Sequence, residues 1–315
     1  MNMTLSVVLL VAGIIMLFFG GEGLVKGASR LARILGIRPV VIGLTVVAFG
    51  TSAPEFVVSL IAALKGSSDV VLGNIIGSNI SNIGLILGIA ALIGPIIIQG
   101  RLIKAEVPIM IAFSFIFYGL AWTLELEILQ GVILFGSLIA FTIYSYYGAR
   151  KEPKLIEKEY KEFLEVEESS PSKYALFIVL GLAGLIIGAQ LVVDSAITIA
   201  RAIGVSELVI SITVVAIGTS LPELSTTIVA ALKKEHDIIV GNIIGSNIFN
   251  IGILGLVSII HPVSVDKPLL KFELPIMLFF SILVLPIMMT GKKVSRAEGI
   301  CLLLLYGVFI YLTVR

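Results

Sequence analysis

Charged residues are scarce in this sequence. Of its 315 residues, 14% are Asp, Glu, Lys or Arg and 58% are hydrophobic. Because a soluble globular domain carries roughly 25% charged residues, this composition excludes that class. The formal net charge of +1 provides no basic surface for a nucleic acid, so we expect no nucleic-acid partner. The single cysteine, Cys301, excludes an intramolecular disulfide.

Long apolar runs are what the sequence has instead. Runs that can cross a hydrocarbon core of ~30 Å recur from end to end, and they predict an all-α polytopic membrane protein with ten transmembrane helices. The opening MNMTLSVVLL lacks the basic residues of a signal peptide, so we expect the first span to be retained. The predicted spans are 5–35, 39–64, 70–98, 103–125, 129–147, 174–203, 208–232, 238–260, 269–289 and 297–314.

The sequence also repeats itself. When 45–84 is aligned with 213–252, 25 of the 40 positions are identical without a gap. This repeat predicts a first five-helix repeat over 1–148, a linker over 149–173 and a second five-helix repeat over 174–315. Because five is odd, the second repeat would be inverted, which is common in secondary transporters.

The basic residues between the spans predict the orientation. If the N-terminus is outside, 16 Lys and Arg residues fall on the inner side and five on the outer side, as the positive-inside rule requires. We therefore expect a multi-pass protein of the cell membrane with its N-terminus outside and the linker cytoplasmic. The charged linker is interpreted as a solvated segment, and a regulatory site there is the less favoured alternative.

Two carboxylates lie directly beside a proline within the apolar runs. Glu55 ends the string GTSAPE and Glu223 ends the string GTSLPE. An intramembrane acid is expensive unless something offsets its charge, and the proline beside each acid interrupts helical hydrogen bonding. Carbonyls freed at the break, together with Thr and Ser hydroxyls, would surround each acid with hard oxygen ligands. Such ligands suit Ca²⁺ and, by extension, Na⁺.

A second pair of strings predicts neutral oxygens facing these acids. GNIIGSNISNIG spans 73–84 and GNIIGSNIFNIG spans 241–252. Ser78 and Asn82 are four residues apart, as are Ser246 and Asn250, so each pair lies on one helical face. Helix packing through the glycines is an alternative explanation of these strings alone. We expect helices 2, 3, 7 and 8 to be broken and to form the core.

The four strings together resemble the α-repeats of the sodium/calcium exchangers, in the calcium/cation antiporter superfamily, and most closely the compact prokaryotic type. The resemblance implies a secondary active antiporter that exchanges Na⁺ for Ca²⁺ by alternating access, with the long first and sixth spans sliding. From the apolar runs we expect the lipid bilayer as surroundings, and we expect no cofactor and no obligate protein partner. It also suggests three Na⁺ per Ca²⁺, which would make the exchange electrogenic.

The resemblance further implies roles for individual residues. Glu55 and Glu223 would be the carboxylates shared by Ca²⁺ and Na⁺, with Asn82 and Asn250 flanking the centre. The first sodium site would consist of Thr51, Ser52, Ser78 and the carbonyl of Ala48. Its inverted counterpart would consist of Thr219, Ser220, Ser246 and the carbonyl of Ala216.

Other functions stay open on the sequence. A proton- or potassium-coupled calcium/cation antiporter is the main alternative. By comparison with relatives of the family, the two motif asparagines argue against potassium coupling, and the lack of a glutamate after GN argues against proton coupling. An ion channel is another alternative, but a site between paired broken helices suits alternating access better than a continuous pore. An intramembrane hydrolase using Ser52 or Ser220 would need a base. The only histidines, His236 and His261, are far from the GTS-x-PE strings in sequence, so we do not expect an enzyme.

Overall fold

The computed structural model describes residues 3–149, 170–203 and 218–313. Most of the linker, the start of the predicted seventh span and Ala216 lie outside the described residues. Within the described ranges, eight helices are long and apolar enough to cross a membrane, or nine when one bent pair counts as a span. The protein is therefore an all-helical, polytopic membrane protein, as the composition predicts.

The described helices and strands are numbered here in chain order. The helices of the first half are α1 (Met3–Ile34), α2 (Pro39–Ile42), α3 (Ala48–Thr51), α4 (Ala53–Leu64), α5 (Ser68–Ser81), α6 (Gly88–Ile93), α7 (Gly100–Lys104), α8 (Glu106–Ala121) and α9 (Ile128–Ala149). Two π-helical segments, Gly43–Val47 and Asn82–Leu87, connect α2 to α3 and α5 to α6. The helices of the second half are α10 (Pro171–Ala202), α11 (Leu221–Leu232), α12 (His236–Ile260), α13 (Lys267–Lys271), α14 (Glu273–Met289) and α15 (Arg296–Thr313).

Two short antiparallel ribbons join the halves. β1 (Ile96–Ile97) pairs with β4 (Lys293–Val294), and β2 (Glu125–Leu126) pairs with β3 (Val263–Ser264). Each ribbon takes one strand from each half of the chain. The halves are therefore linked by backbone hydrogen bonds at two places.

The predicted break in the second span is confirmed. α3 ends at Thr51, α4 begins at Ala53, and the two parts of the span are bent by 42°. Pro54 lies in the first turn of α4, where the N–H that proline lacks would have no helical partner in any case. GTSLPE repeats this local structure, because Pro222 lies in the first turn of α11 and Ser220 is its N-cap residue.

The prediction of broken helices was wrong for the eighth span. α12 runs without interruption from His236 to Ile260. The third span is also one continuous span over 68–93, with a π-helical segment in place of a bend. Both strings contain glycine but no proline, so the backbone N–H groups can still bond within the helix. At Gly245 a Cβ would lie 2.7 Å from the Leu44 carbonyl oxygen, so this glycine serves close helix packing.

The most buried spans form the centre of the molecule. In α12, 83% of the most apolar 18 residues are buried, and in the third span 78% are. The corresponding share is only 22% in α1 and 28% in α10. α1 and α10 pack along each other through glycines, and a Cβ at Gly181 would lie 2.5 Å from the backbone nitrogen of Leu24. These two long helices therefore form a close pair at the periphery, and α12 and the third span surround the acids.

Candidate cation site

The two acids of the GTS-x-PE strings come together at the centre. Glu55 lies in the first turn of α4, Glu223 lies in the first turn of α11, and each is 1% exposed. The Ser52 hydroxyl donates to Glu223 Oε1 at 3.2 Å, and the Ser78 hydroxyl donates to Glu55 Oε1 at 3.4 Å. Ser52, which contacts Glu223, is three residues before Glu55 in the same broken span, so both carboxylates lie at one centre, where two negative charges would repel each other. A cation between them would relieve this repulsion.

The hydroxyl groups around the acids connect the two halves. Thr51 Oγ1 lies 3.4 Å from Ser246 Oγ, and Ser220 Oγ lies 3.4 Å from Ser78 Oγ. The family resemblance placed Ser78 in one sodium site with Thr51 and Ser246 in the other with Ser220. The hydrogen bonds join these two predicted sets across the centre, because each broken helix faces the motif helix of the other half.

A pair of asparagines that the sequence analysis missed supports the broken helices. Asn74 accepts from the Thr219 hydroxyl at 3.3 Å and donates to the Glu55 carbonyl oxygen at 3.0 Å. Asn242 accepts from the Thr51 hydroxyl at 3.1 Å and donates to Thr227 Oγ1 at 3.2 Å. Both asparagines follow the first glycine of the repeated strings, and their occurrence at the same place in both repeats was the available signal.

The two predicted carbonyl ligands belong to Ala48 and Ala216, and of these the structure describes Ala48. The Ala48 carbonyl accepts the Ser52 backbone N–H at 3.0 Å and lies 3.4 Å from Thr51 Oγ1. The Ala48 carbonyl therefore keeps its helical partner, because the proline removes a donor further along the helix. Its role as a cation ligand stays a prediction. Ala216 lies outside the described residues.

A layer of four buried amides lies beside the acids. Asn82 Nδ2 donates to Asn247 Oδ1 at 3.5 Å, and Asn250 Nδ2 donates to Asn79 Oδ1 at 3.1 Å. Asn82 is one helical turn beyond Ser78, and Asn250 is one turn beyond Ser246, so both share the face that reaches the broken helices. Asn79 and Asn247 are further residues that the sequence analysis missed.

Four buried oxygens at this centre have no hydrogen-bond partner within the described part of the chain. They are Glu55 Oε2, Glu223 Oε2, Asn82 Oδ1 and Asn250 Oδ1. Buried polar atoms are almost always satisfied, and leaving one unsatisfied is costly. Two carboxylate and two amide oxygens are the donor set of a hard cation. Among the described residues no group of three or more His, Cys, Asp and Glu forms a metal site, so neutral oxygens would complete the coordination.

A polytopic helical protein with two buried acids at the junction of similar halves belongs to the class of membrane cation transporters. The model of the family described as "Sodium/calcium exchanger protein" matches residues 5–147 and 173–315. The chain therefore belongs to the sodium/calcium exchanger family, a family of transporters, and this membership supports a cation/Ca²⁺ antiporter.

Individual relatives are similar over nearly the whole chain. The sodium/calcium exchanger MaX1 of Methanosarcina acetivorans is 35% identical over 98% of this chain and 98% of its own length. The inner membrane protein YrbG of Escherichia coli is 36% identical over 98% and 96%. Among solved structures, the sodium-calcium exchanger NCX_Mj soaked with zero Na⁺ and Ca²⁺ superposes with a TM-score of 0.87 at 31% identity, covering 100% of both chains.

Proposed function

We propose that the protein exchanges Na⁺ for Ca²⁺ across the cell membrane by alternating access. The observation that carries this proposal is the group of four unsatisfied buried oxygens at the centre, two of them from Glu55 and Glu223. Two carboxylates provide a charge of −2, which one Ca²⁺ cancels. The printed names of the relatives MaX1 and NCX_Mj, both sodium/calcium exchangers, support the choice of ions.

The hydroxyl oxygens would hold the sodium ions. Thr51 contacts Ser246, Ser78 contacts Ser220, and Ser52 donates to Glu223, so these hydroxyls lie beside one another and beside the acids. Together with Thr219 and the carbonyls of Ala48 and Ala216, these oxygens would complete the sodium sites. Two Na⁺ would neutralise the carboxylates, and a third would give the sodium-loaded protein a net charge of +1. The exchange would then be electrogenic.

The architecture proposed for this cycle is ten transmembrane helices in two inverted five-helix repeats, 1–148 and 174–315, joined by a cytoplasmic linker over 149–173. The two ribbons support it, because β1 and β3 occupy corresponding places in the halves, and so do β2 and β4. A twofold relation would interchange the two ribbons. The positive-inside rule supports an external N-terminus.

Sodium-gradient-driven ⁴⁵Ca²⁺ uptake into proteoliposomes tests this function. Vesicles loaded with Na⁺ and diluted into Na⁺-free buffer should accumulate Ca²⁺, and vesicles with Na⁺ on both sides should not. Proton and potassium gradients of the same size serve as matched arms. Uptake driven by either of these gradients and not by Na⁺ would overturn the proposal in favour of the proton- or potassium-coupled alternative.

A further inference from the structure

Two methionines lie behind the amide layer of the cation site. Asn247 Nδ2 lies 3.6 Å from Met110 Sδ on α8, and Asn79 Nδ2 lies 3.7 Å from Met277 Sδ on α14. Both methionines and both asparagines are buried. Met110 and Met277 occupy the last positions of the similar strings KAEVPIM (104–110) and KFELPIM (271–277), so the same contact occurs in each half.

A thioether sulfur can only accept a hydrogen bond, whereas an asparagine amide has one accepting end and one donating end. Met110 therefore requires the nitrogen of Asn247 to point towards it, and the Asn247 oxygen then points towards Asn82. That oxygen in turn requires Asn82 to present its nitrogen, at 3.5 Å. The Asn82 oxygen is left free of hydrogen bonds within the described residues and lies at the cation site.

The second half repeats this sequence of contacts. Met277 fixes the nitrogen of Asn79, and the Asn79 oxygen accepts from Asn250 Nδ2 at 3.1 Å. The Asn250 oxygen is then the end that no described residue satisfies. A reversed amide at either position would present an N–H donor to a cation, which would weaken binding.

We propose that Met110 and Met277 are positioning residues for ion exchange, and that each acts through an asparagine, Asn247 or Asn79, to hold the Asn82 or Asn250 carbonyl oxygen towards the transported cation. This inference rests on the proposed exchange function. It assigns to two apolar residues a role in ion affinity that does not depend on their size or hydrophobicity.

The test compares two replacements of the same methionine. Met277→Leu keeps the volume and the apolar character but removes the acceptor, and volume-conserving changes of this kind are well tolerated in cores. Met277→Gln has a similar length and restores an acceptor oxygen at the cost of a buried polar group. Met110→Leu and Met110→Gln repeat the comparison in the other half. Met288→Leu is the matched control, because Met288 is a buried methionine of the same helix α14.

The readout is the Ca²⁺ concentration at half-maximal sodium-driven uptake, measured with the maximal rate. Loss of one weak hydrogen bond should raise this concentration about two- to tenfold in the Leu variants. The maximal rate should change little, and the Gln variants should stay close to the parent and to Met288→Leu. A purely structural role gives the opposite order, because leucine fits an apolar environment better than glutamine.

The possible results distinguish a failure of the positioning role from a failure of the exchange function. If the parent transports Ca²⁺ and the Leu variants match it, or if Gln is the more damaging replacement, the positioning role is wrong while the exchange function stands. If the parent shows no sodium-driven uptake, the exchange function itself fails. Calcium-induced thermal stabilisation of the parent and the Leu variants, measured in detergent, then shows separately whether the methionines affect binding.

Discussion

Replacing Glu55 with glutamine separates the charge of the site from its shape. Glutamine keeps an acceptor oxygen for the Ser78 hydroxyl, which lies 3.4 Å from Glu55 Oε1, and removes one of the two negative charges. For a +2 ion about 4 Å from a unit charge, Coulomb's law at an effective dielectric constant of about 20 gives about 8 kcal/mol. The avoided cost of burying the charge offsets part of this energy.

Even half of that energy, about 4 kcal/mol, lowers Ca²⁺ affinity roughly a thousandfold. Sodium-driven ⁴⁵Ca²⁺ uptake by Glu55→Gln should therefore fall to background, and Glu223→Gln should behave in the same way. The control is Glu298→Gln, which removes the same charge from a residue that caps the start of α15 through Ser295. This control should transport like the parent.

Stability measurements test independently whether Glu55 binds Ca²⁺. In Ca²⁺-free buffer Glu55→Gln should unfold with an unchanged or higher free energy, because it replaces a buried carboxyl group by a neutral amide, which is less costly to bury. Ca²⁺ at about 100 times its Kd should stabilise the parent by about 2.7 kcal/mol and should not stabilise the variant. Near-normal uptake by Glu55→Gln, or the same Ca²⁺-induced stabilisation as in the parent, would refute the assignment of the site.

Two further substitutions test the amide layer and the peripheral helix pair. Asn250→Asp adds a third carboxylate beside two others, which favours proton uptake. Its transport should become more pH-dependent around neutrality, and a pH profile identical to that of the parent would count against Asn250 lining the site. Gly181→Ala places a Cβ 2.5 Å from the Leu24 backbone nitrogen, and such overpacking costs about 1–3 kcal/mol. Its Tm should fall, while that of Gly119→Ala, whose Cβ would meet nothing within 4 Å, should not; equal Tm values would show that the α1–α10 packing is not this close.

Much of the site could be predicted from the sequence, because its chemistry is unusual for its surroundings. A carboxylate next to a proline within an apolar run stands out, and Glu55 and Glu223 are indeed buried at the starts of α4 and α11. Proline also has a local effect on the helix, so the break near Thr51 follows from the string itself. Glycine has no such effect, and α12 continues through three glycines of its motif.

The contacts between the halves could not be predicted in the same way. Periodicity places Ser78 and Asn82 on one face of a helix, but it does not say which residue of the other half they meet. The link from Ser220 to Ser78 depends on how the start of α11 packs against the third span. Met110 and Met277 were even less accessible, because a methionine in an apolar span is indistinguishable from ordinary packing until its sulfur is found beside an amide.

Calcium uptake into sodium-loaded vesicles under a clamped membrane potential tests the exchange most directly. Valinomycin and potassium gradients set the potential, and the initial rate of ⁴⁵Ca²⁺ uptake is measured. If three Na⁺ leave for each Ca²⁺ that enters, net positive charge leaves the vesicle, and the potential contributes about 2.3 kcal/mol per 100 mV. An inside-positive potential should then accelerate uptake and an inside-negative potential should slow it. Uptake that needs the sodium gradient but ignores the potential would contradict the three-to-one exchange, and uptake that does not need sodium would contradict the exchange altogether.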